Sequence, residues 1–597
     1  MIRRAFSFAG RFWLLNTVIA AILIAFNLWA YDWTTSLLAN VYVPLAVIGQ
    51  AFALTLLMAI ALLPFLLLPG RLRLGVYALV GGLFQFLLVL DGQIFTIYRF
   101  HIDAFFIKMF FTDFAGLGIG WLTVAGGVLA LVVVIGLMYG GALWAGRKHR
   151  SLKAWPVMTL LFLMTLGGQT IHAWGYAHNM RPIVSLTYVI PWYMPLVADE
   201  DMEKWGLINE NLIEENERIE VSEASTFNYP LSPLQCEPDT SARPKNLIFV
   251  GLESWRFDRM TPEISPNIHA IGEDALVFND HLAGGTVTTT GLFSLMFGTS
   301  HLYWDGALGS GTRPALIDAL LDRDYDIRVL ANQDIRANKL YEVFFRGIEP
   351  IQAWGEGRIP TGDAALIDKL LTSVDAEPEQ PFFSFMFFNS THFSYWTPEG
   401  YDKPFLPAKK LSMSKADADT DPVPHLNQYN NSIHFVDSLI GRMKNELQAR
   451  GLWEDTIVVI TGDHGEEFND QGENYWGHGS NFSRYQLGVP LVIHWPGRTG
   501  EYDHRTTHED ITPTLLTEAF GCANPISDLG TGESLFDDSP RTLIAESYVN
   551  KAFIRGTTVN EMYPGFVKTY SLDDINDEAT TPSGILRDVQ KVQSRFR

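Results

Sequence analysis

The stretch TIVVITGDHGEE occupies residues 456–467. Its first half, Thr456 to Thr461, is β-branched and apolar throughout, the pattern of a strand covered on both faces. Gly462 breaks the run, and Asp463 and His464 follow at once. Four more runs, Asn246 to Leu252, Ile327 to Leu330, Phe382 to Phe388 and Leu491 to His494, read as strands in the same way. They alternate with helical segments at Pro314 to Leu321 and Gln428 to Arg450, the second carrying Ile433, Val436, Leu439, Ile440 and Met443 along one face. Such alternation specifies an α/β domain with a mostly parallel sheet, helices on both faces. Sheets of this kind place ligands beyond the carboxyl ends of their strands, where Asp463 and His464 stand.

Glu253 directly follows the run Asn246 to Leu252. Two strand ends therefore offer two carboxylates and one imidazole to a common point. An oxygen-rich shell with a single nitrogen suits one divalent cation, with Mn²⁺, Mg²⁺ or Zn²⁺ as candidates. Between these ends lies Gly284-Gly285-Thr286-Val287-Thr288-Thr289-Thr290-Gly291, leading into the apolar run Leu292 to Phe297. A glycine-flanked hydroxyl cluster opening a helix sets a threonine oxygen beside backbone N–H donors that suit an oxyanion. If a cation also touches that oxygen, it becomes a nucleophile usable near neutral pH. Thr286, Thr288, Thr289 and Thr290 all qualify on this ground.

With these motifs the chain resembles the sulfatase/alkaline-phosphatase superfamily, and within it the phosphoglycerol and phosphoethanolamine transferases that include lipoteichoic acid synthase. The resemblance implies a metal held by Glu253, Thr288, Asp463 and His464, with Thr288 as the nucleophile, chosen among the threonines by its spacing to Leu292-Phe293. It also implies that His392, in Ser390-Thr391-His392-Phe393, and His478, in Trp476-Gly477-His478-Gly479, contact the phosphoryl or head group. Arg336 is a further candidate for phosphate contact. The Cys or Ser that would become formylglycine, in its usual Pro/Arg context, is absent from the threonine loop, which points to phosphate rather than sulfate esters.

Upstream, the solvent changes. Phe12 to Tyr31, Val43 to Leu68, Leu74 to Tyr98, Ile119 to Ala145 and Trp155 to Trp174 are each apolar enough to cross a hydrocarbon core of roughly 30 Å. Arg3, Arg4 and Arg11, then Arg71 and Arg73, then Arg147, Lys148, Arg150 and Lys153, mark alternate loops as cytoplasmic, although Arg99 and Lys108 blur the pattern. Five spans then place the N-terminus in the cytoplasm and the C-terminal domain outside it, the first span serving as an uncleaved signal anchor. Asp91, deep in the third span, reads as an acid paired inside the bundle, with a proton or ion path as the second reading. The expected organisation is a five-helix transmembrane domain over 1–197, a connector over 198–244 with an acidic run from Asn209 to Glu223 and a Ser241-Ala242-Arg243-Pro244 end, and the α/β domain with a C-terminal subregion over 245–597.

A formal charge of −22 argues against nucleic-acid binding. Cys236 and Cys522 are the only cysteines, too few for a thiolate zinc site and able to pair only with each other. Over nearly its whole length, including Tyr98-Arg99-Phe100-His101, Tyr303-Trp304-Asp305-Gly306 and Val489 to Gly497, the chain resembles the PbgA/YejM family of Gram-negative inner-membrane proteins. That resemblance implies an inner-membrane protein with a periplasmic domain. It also implies acidic phospholipid, cardiolipin among them, or lipid A as ligand, and a membrane protein of the proteolytic pathway that sets lipopolysaccharide amount as partner. In some members the metal site has decayed, whereas this chain keeps the Asp-His pair. Two functions follow: a metal-dependent phosphoric-ester hydrolase or phosphotransferase acting on lipid head groups, or a catalytically silent lipid-sensing regulator.

Overall fold

The computed structural model describes residues 2–597 apart from 32, 105, 108–109, 111–120, 148–153, 179, 210–223, 237–245, 337–338, 349–358, 378, 414–415, 549, 564–565 and 580–584. Lys108, Ile119, Lys148, Arg150, Lys153, the acidic run after Asn209 and Ser241 to Pro244 lie outside the described residues. The chain divides into two compact units, one built mainly on Met1–Ala115 and Ile119–Arg218, the other mainly on Ile219–Glu561 and Lys568–Arg597.

The first unit holds five helices long and apolar enough to cross a membrane: Ala5–Ala30, Leu37–Leu67, Gly70–Tyr98, Leu122–Gly146 and Trp155–Ala177. Each covers one of the spans expected from hydropathy. In such a bundle, close backbone approach and interhelical hydrogen bonds supply what the hydrophobic effect does not. A Cβ at Gly82 would lie 2.7 Å from Ile135 Cγ1, so the third and fourth helices meet where glycine lets them. Gln85 Nε2 donates to Asn16 Oδ1 at 3.0 Å, and the Thr17 and Thr55 hydroxyls meet at 2.8 Å. Asp91 is fully buried, with Oδ2 2.8 Å from His101 Nδ1 and Oδ1 accepting from Ile102 N–H at 2.8 Å. Its carboxylate closes the turn after its own helix, as an acid paired within the bundle.

The second unit is built on a seven-stranded sheet. Its strands are β1 (Asn246–Leu252), β2 (Leu276–Leu282), β3 (Asp326–Ala331), β4 (Phe382–Phe388), β5 (Thr456–Gly462), β8 (Leu491–His494) and β9 (Gly500–Thr507). The spatial order is β3-β4-β1-β5-β8-β2-β9. Only β8 runs against the rest: it pairs antiparallel with β5 and β2, while β3/β4, β4/β1, β1/β5 and β2/β9 are parallel. Six strands thus deliver their carboxyl ends to one edge. The central strands β1, β4 and β5 are buried at every residue, which their unbroken apolar runs require. The helix Val423–Ala449 buries Ile433, Val436, Leu439, Ile440 and Met443, the stripe read from sequence. A two-stranded ribbon, β6 (Glu467–Phe468) with β7 (Trp476–Gly477), follows β5. A second sheet, β10 (Thr542–Glu546), β11 (Lys551–Arg555), β12 (Thr558–Tyr563) and β13 (Phe566–Ser571), forms the C-terminal subregion.

Residues 224–236, which the sequence suggests are spacer, pack on this second unit. Phe227 and Tyr229 stack among Phe293, Phe297, Tyr303 and Phe596, and Tyr229 OH donates to Phe297 O at 2.7 Å. Cys236 and Cys522 form a disulfide across 286 residues of sequence.

Candidate metal centre

The register Leu252↔Gly462 sets the ends of β1 and β5 side by side, so the residues that follow each, Glu253 and Asp463, emerge together. Ser254 N–H and His464 N–H both donate to Asp463 Oδ1, at 2.8 and 2.9 Å, which leaves Oδ2 pointing at the cluster. His464 Nδ1 sits 2.9 Å from Gly465 O, a contact that puts the proton on Nδ1 and presents Nε2. That Nε2 lies 3.4 Å from both Glu253 Oε1 and Asp463 Oδ2. Thr288 opens the helix Thr288–Phe297, and its hydroxyl donates to Glu253 Oε1 at 3.1 Å. Thr290 Oγ1 donates instead to Val287 O at 2.8 Å, whereas Thr286 donates its N–H to Glu546 O at 2.9 Å and keeps a buried hydroxyl without a hydrogen-bond partner. The helix can approach because Gly291 has no side chain; a Cβ there would lie 1.9 Å from Asp463 O.

Glu253, Asp463 and His464 are all buried, and each brings one ligand atom within 4.8 Å of the others. Glu253 Oε2, Asp463 Oδ2 and His464 Nε2 have no hydrogen-bond partner although water cannot reach them. Three unsatisfied donor atoms converging in a dry site carry a large penalty unless something positive binds them. The charges show the same tension. Burial and the Glu253 charge push the Asp463 carboxyl upward. Burial opposes ionisation of Glu253 and His464 as well. The imidazoles of His464, His392 and His478 nevertheless hold Glu253 below the usual carboxylate range, and the two carboxylates raise His464. Two oxygens, one nitrogen and an adjacent hydroxyl therefore fit one divalent cation by donor type and by unmet demand.

Two further imidazoles line the same place. Glu253, His392 and His478 also bring ligand atoms within 4.8 Å of one another, and the His478 ring lies tilted against His464 with ring centroids 4.2 Å apart. His478 Nδ1 lies 2.7 Å from Glu466 Oε2, while Tyr395 OH donates to Glu466 Oε1 at 2.6 Å. Sequence reading gave no role to Glu466 or Tyr395; Glu466 stood in plain view two residues after His464, but nothing local showed that its side chain turns toward β7. The His392 turn is clamped from below by Asp363, whose carboxylate accepts from Asn389 N–H, Ser390 N–H and Asn332 Nδ2 at 3.0, 2.7 and 2.7 Å. Behind the threonine helix, His508 bridges Gly291 O and Thr461 Oγ1 at 3.1 and 3.4 Å. Burial holds that imidazole down at about 4. Arg336 follows β3, two strands from β1, and its guanidinium lies 4.2 Å from the centroid of the Tyr341 ring.

Known proteins agree with this architecture. The Sulfatase family model matches residues 245–521, and one described as a domain of unknown function (DUF3413) matches residues 1–236. The chain is 25% identical over 542 residues to the inner membrane protein YejM of Salmonella typhimurium, covering 88% of this chain and 85% of that one. It is 32% identical to lipoteichoic acid synthase 2 of Bacillus subtilis over 144 residues, 23% of this chain and 20% of the other. Among solved structures, the lipooligosaccharide phosphoethanolamine transferase A of Neisseria meningitidis superposes with a TM-score of 0.54 at 14% identity, over 89% of this chain and 99% of that one, a likeness of fold.

Proposed function

Because this chain is homologous to the YejM/PbgA family and its second unit to the sulfatase/alkaline-phosphatase superfamily, we propose that it is an inner-membrane phosphoric-ester hydrolase or phosphotransferase whose periplasmic domain acts on lipid head groups. One observation carries the reading: the Thr288 hydroxyl is hydrogen-bonded into the buried, partner-poor cluster of Glu253, Asp463 and His464. The disulfide supports an oxidising compartment for the second unit. The chain's anchoring beside a bilayer supports a lipid ester as substrate.

A bound divalent cation would be held by Glu253, Asp463, His464 and Thr288, and would lower the threonine's pKa and neutralise charge on the phosphoryl oxygens. The remaining work falls to the chain. Thr288 Oγ1 already points its proton at Glu253 Oε1, so that carboxylate takes the proton as the oxygen attacks phosphorus. The new Oγ1–P bond forms as the ester P–O bond opposite breaks, in line. The leaving oxygen takes a proton from His478 or His392. A phosphothreonine results; water or an acceptor alcohol then attacks its phosphorus, giving its proton to the same imidazole, and as the Oγ1–P bond breaks Glu253 returns its proton to Thr288 Oγ1. Glu466, itself held by Tyr395, keeps the His478 ring turned to this task.

The test is release of p-nitrophenol from its phosphate monoester and diester by the full-length protein, with Mn²⁺, Mg²⁺ or Zn²⁺ supplied. The expected result is metal-dependent turnover that Thr288→Ala lowers by about a thousandfold or more. Absence of turnover under every metal, with Thr288→Ala still complementing a deletion strain, would leave the lipid-sensing regulator in its place.

A further inference from the structure

The second sheet reaches the threonine loop. Glu546, the last residue of β10, forms a parallel bridge with Gly285. Its carbonyl accepts from Thr286 N–H at 2.9 Å and lies 3.3 Å from Thr290 Oγ1. The chain beyond β10 therefore runs alongside Val287 before it turns back into β11. That turn is tight: Ser547 N–H donates to Asn550 O at 2.9 Å, and Asn550 N–H to Ser547 Oγ at 3.0 Å. The sheet behind it is anchored. Leu543, Ala545, Ala552 and Ile554 share one buried cluster with Leu282, at the end of β2, and Phe482, four residues after His478.

Tyr548 stands in this turn, and Gly479 shows where its ring lies. A Cβ on Gly479 would fall 2.5 Å from Tyr548 Cε2, 2.6 Å from Tyr548 Cδ2 and 3.0 Å from Val287 Cγ1. Gly479, at φ +77°, thus supplies both a left-handed backbone and the space that the ring fills. Val287 precedes the threonine that attacks. Gly479 follows His478, one of the two imidazoles placed to protonate the leaving oxygen. In an in-line displacement these groups mark opposite ends of the reaction axis, and the oxygens that stay on phosphorus are arrayed around its middle. A ring that touches the neighbours of both ends lies alongside that axis. Its atoms facing this place are carbon, as is Val287 Cγ1, in contrast to the carboxylates and imidazoles of the metal centre. A charged phosphoryl oxygen gains nothing from such a wall, whereas the carbon of an ester arm does.

We propose that Tyr548 is a specificity-determining residue, its ring receiving, with Val287, the alcohol arm that remains on phosphorus when the ester bond opens. The assignment rests on the phosphoric-ester reading above and adds to it a residue of the C-terminal subregion. The metal ligands then serve the reaction, and the β10–β11 turn selects among the esters that undergo it.

The test uses the full-length, Mn²⁺-loaded protein in detergent. It compares kcat/KM for benzyl p-nitrophenyl phosphate and methyl p-nitrophenyl phosphate, which share a leaving group and differ in the arm retained. The wild-type protein is expected to favour the benzyl ester by about tenfold. Tyr548→Ala should bring that ratio to about one, and Tyr548→Phe should keep it. Tyr548→Leu, which fills space without a ring, should fall between them at about threefold; it carries the test where a melting curve shows that Tyr548→Ala does not fold. A wild-type protein with no benzyl preference overturns the assignment. So does a ratio that survives the loss of the ring, or an equal loss for both esters, which would make Tyr548 a support of the threonine loop alone. Turnover of neither ester under any metal is a different failure: it removes the phosphoric-ester reading, and the role of Tyr548 with it.

Discussion

At the scale of single residues, the centre is defined by atoms that lack partners. Glu253 Oε2, Asp463 Oδ2 and His464 Nε2 are each buried without a hydrogen-bond partner. Mn²⁺ should therefore raise the melting temperature of the wild-type protein by mass action, by about 3 kcal/mol of stability at a hundredfold excess over Kd. An Asp463→Asn variant should lose most of that increment, and a melting curve reads it without reference to turnover. Glu466→Gln should keep the fold, since Tyr395 OH can still donate to the amide, but release the His478 ring. A loss of activity of roughly ten- to a hundredfold is expected, with an altered pH–rate profile; an unchanged profile would make Glu466 merely structural. The acid, hydroxyl and Asp-His members of this site were legible in the sequence because each directly follows a strand or opens a helix, and position along a parallel strand predicts position in space. Glu466, Tyr395 and Asp363 were not legible. They act through side-chain direction after the chain has left the strands, and nothing in local periodicity encodes that.

At the scale of elements, the site depends on how closely the helix Thr288–Phe297 meets the end of β5. Gly291 permits it, with room for no Cβ beside Asp463 O. Gly291→Ala should push the helix away from β5, costing about 1–3 kcal/mol and weakening Mn²⁺ binding. Equilibrium denaturation and metal titration of the same sample check both; metal affinity unchanged beside a loss of stability would detach the helix from the centre. β1, β3, β4, β5 and β8 were readable as largely apolar, β-branched or aromatic runs, and the amphipathic helix as a 3.6-residue stripe. β2 (Leu276–Leu282) and β9 escaped: Asn279-Asp280-His281 interrupt the apolar start of β2, and Gly500–Thr507 is polar and half exposed, as a strand at the sheet's margin is. The reversed direction of β8 escaped for another reason, since a four-residue apolar strand reads alike in either direction.

At the scale of the whole molecule, hydropathy located the membrane helices because length and apolarity alone are demanded there. Stability of the second unit should carry a pH signature from Glu509. Burial and, less strongly, the Asp510 charge lift its carboxyl to about 8, although Thr531 Oγ1 donates to it at 2.7 Å. Below the ordinary value of 4.5 it is protonated folded or unfolded. As pH rises toward 8, the unfolded chain ionises while the folded one resists, so its stabilising contribution is lost over that window. The difference amounts to a few kcal/mol at most, and on the order of 1 kcal/mol per unit of pH. Glu509→Gln should flatten this part of the pH–stability curve of the full chain in detergent; a variant as steep as wild type would refute the assignment.

The Cys236–Cys522 bond has a consequence for handling and for turnover of the protein. A covalent ring of this size restricts the unfolded chain, by about 6 kcal/mol in the ideal entropy account. It also means that a single protease nick inside the ring releases nothing: the two fragments run together on a non-reducing gel and separate only after thiol treatment. Freeing a fragment that lies between the two cysteines thus requires either two cuts or one cut and a reductant.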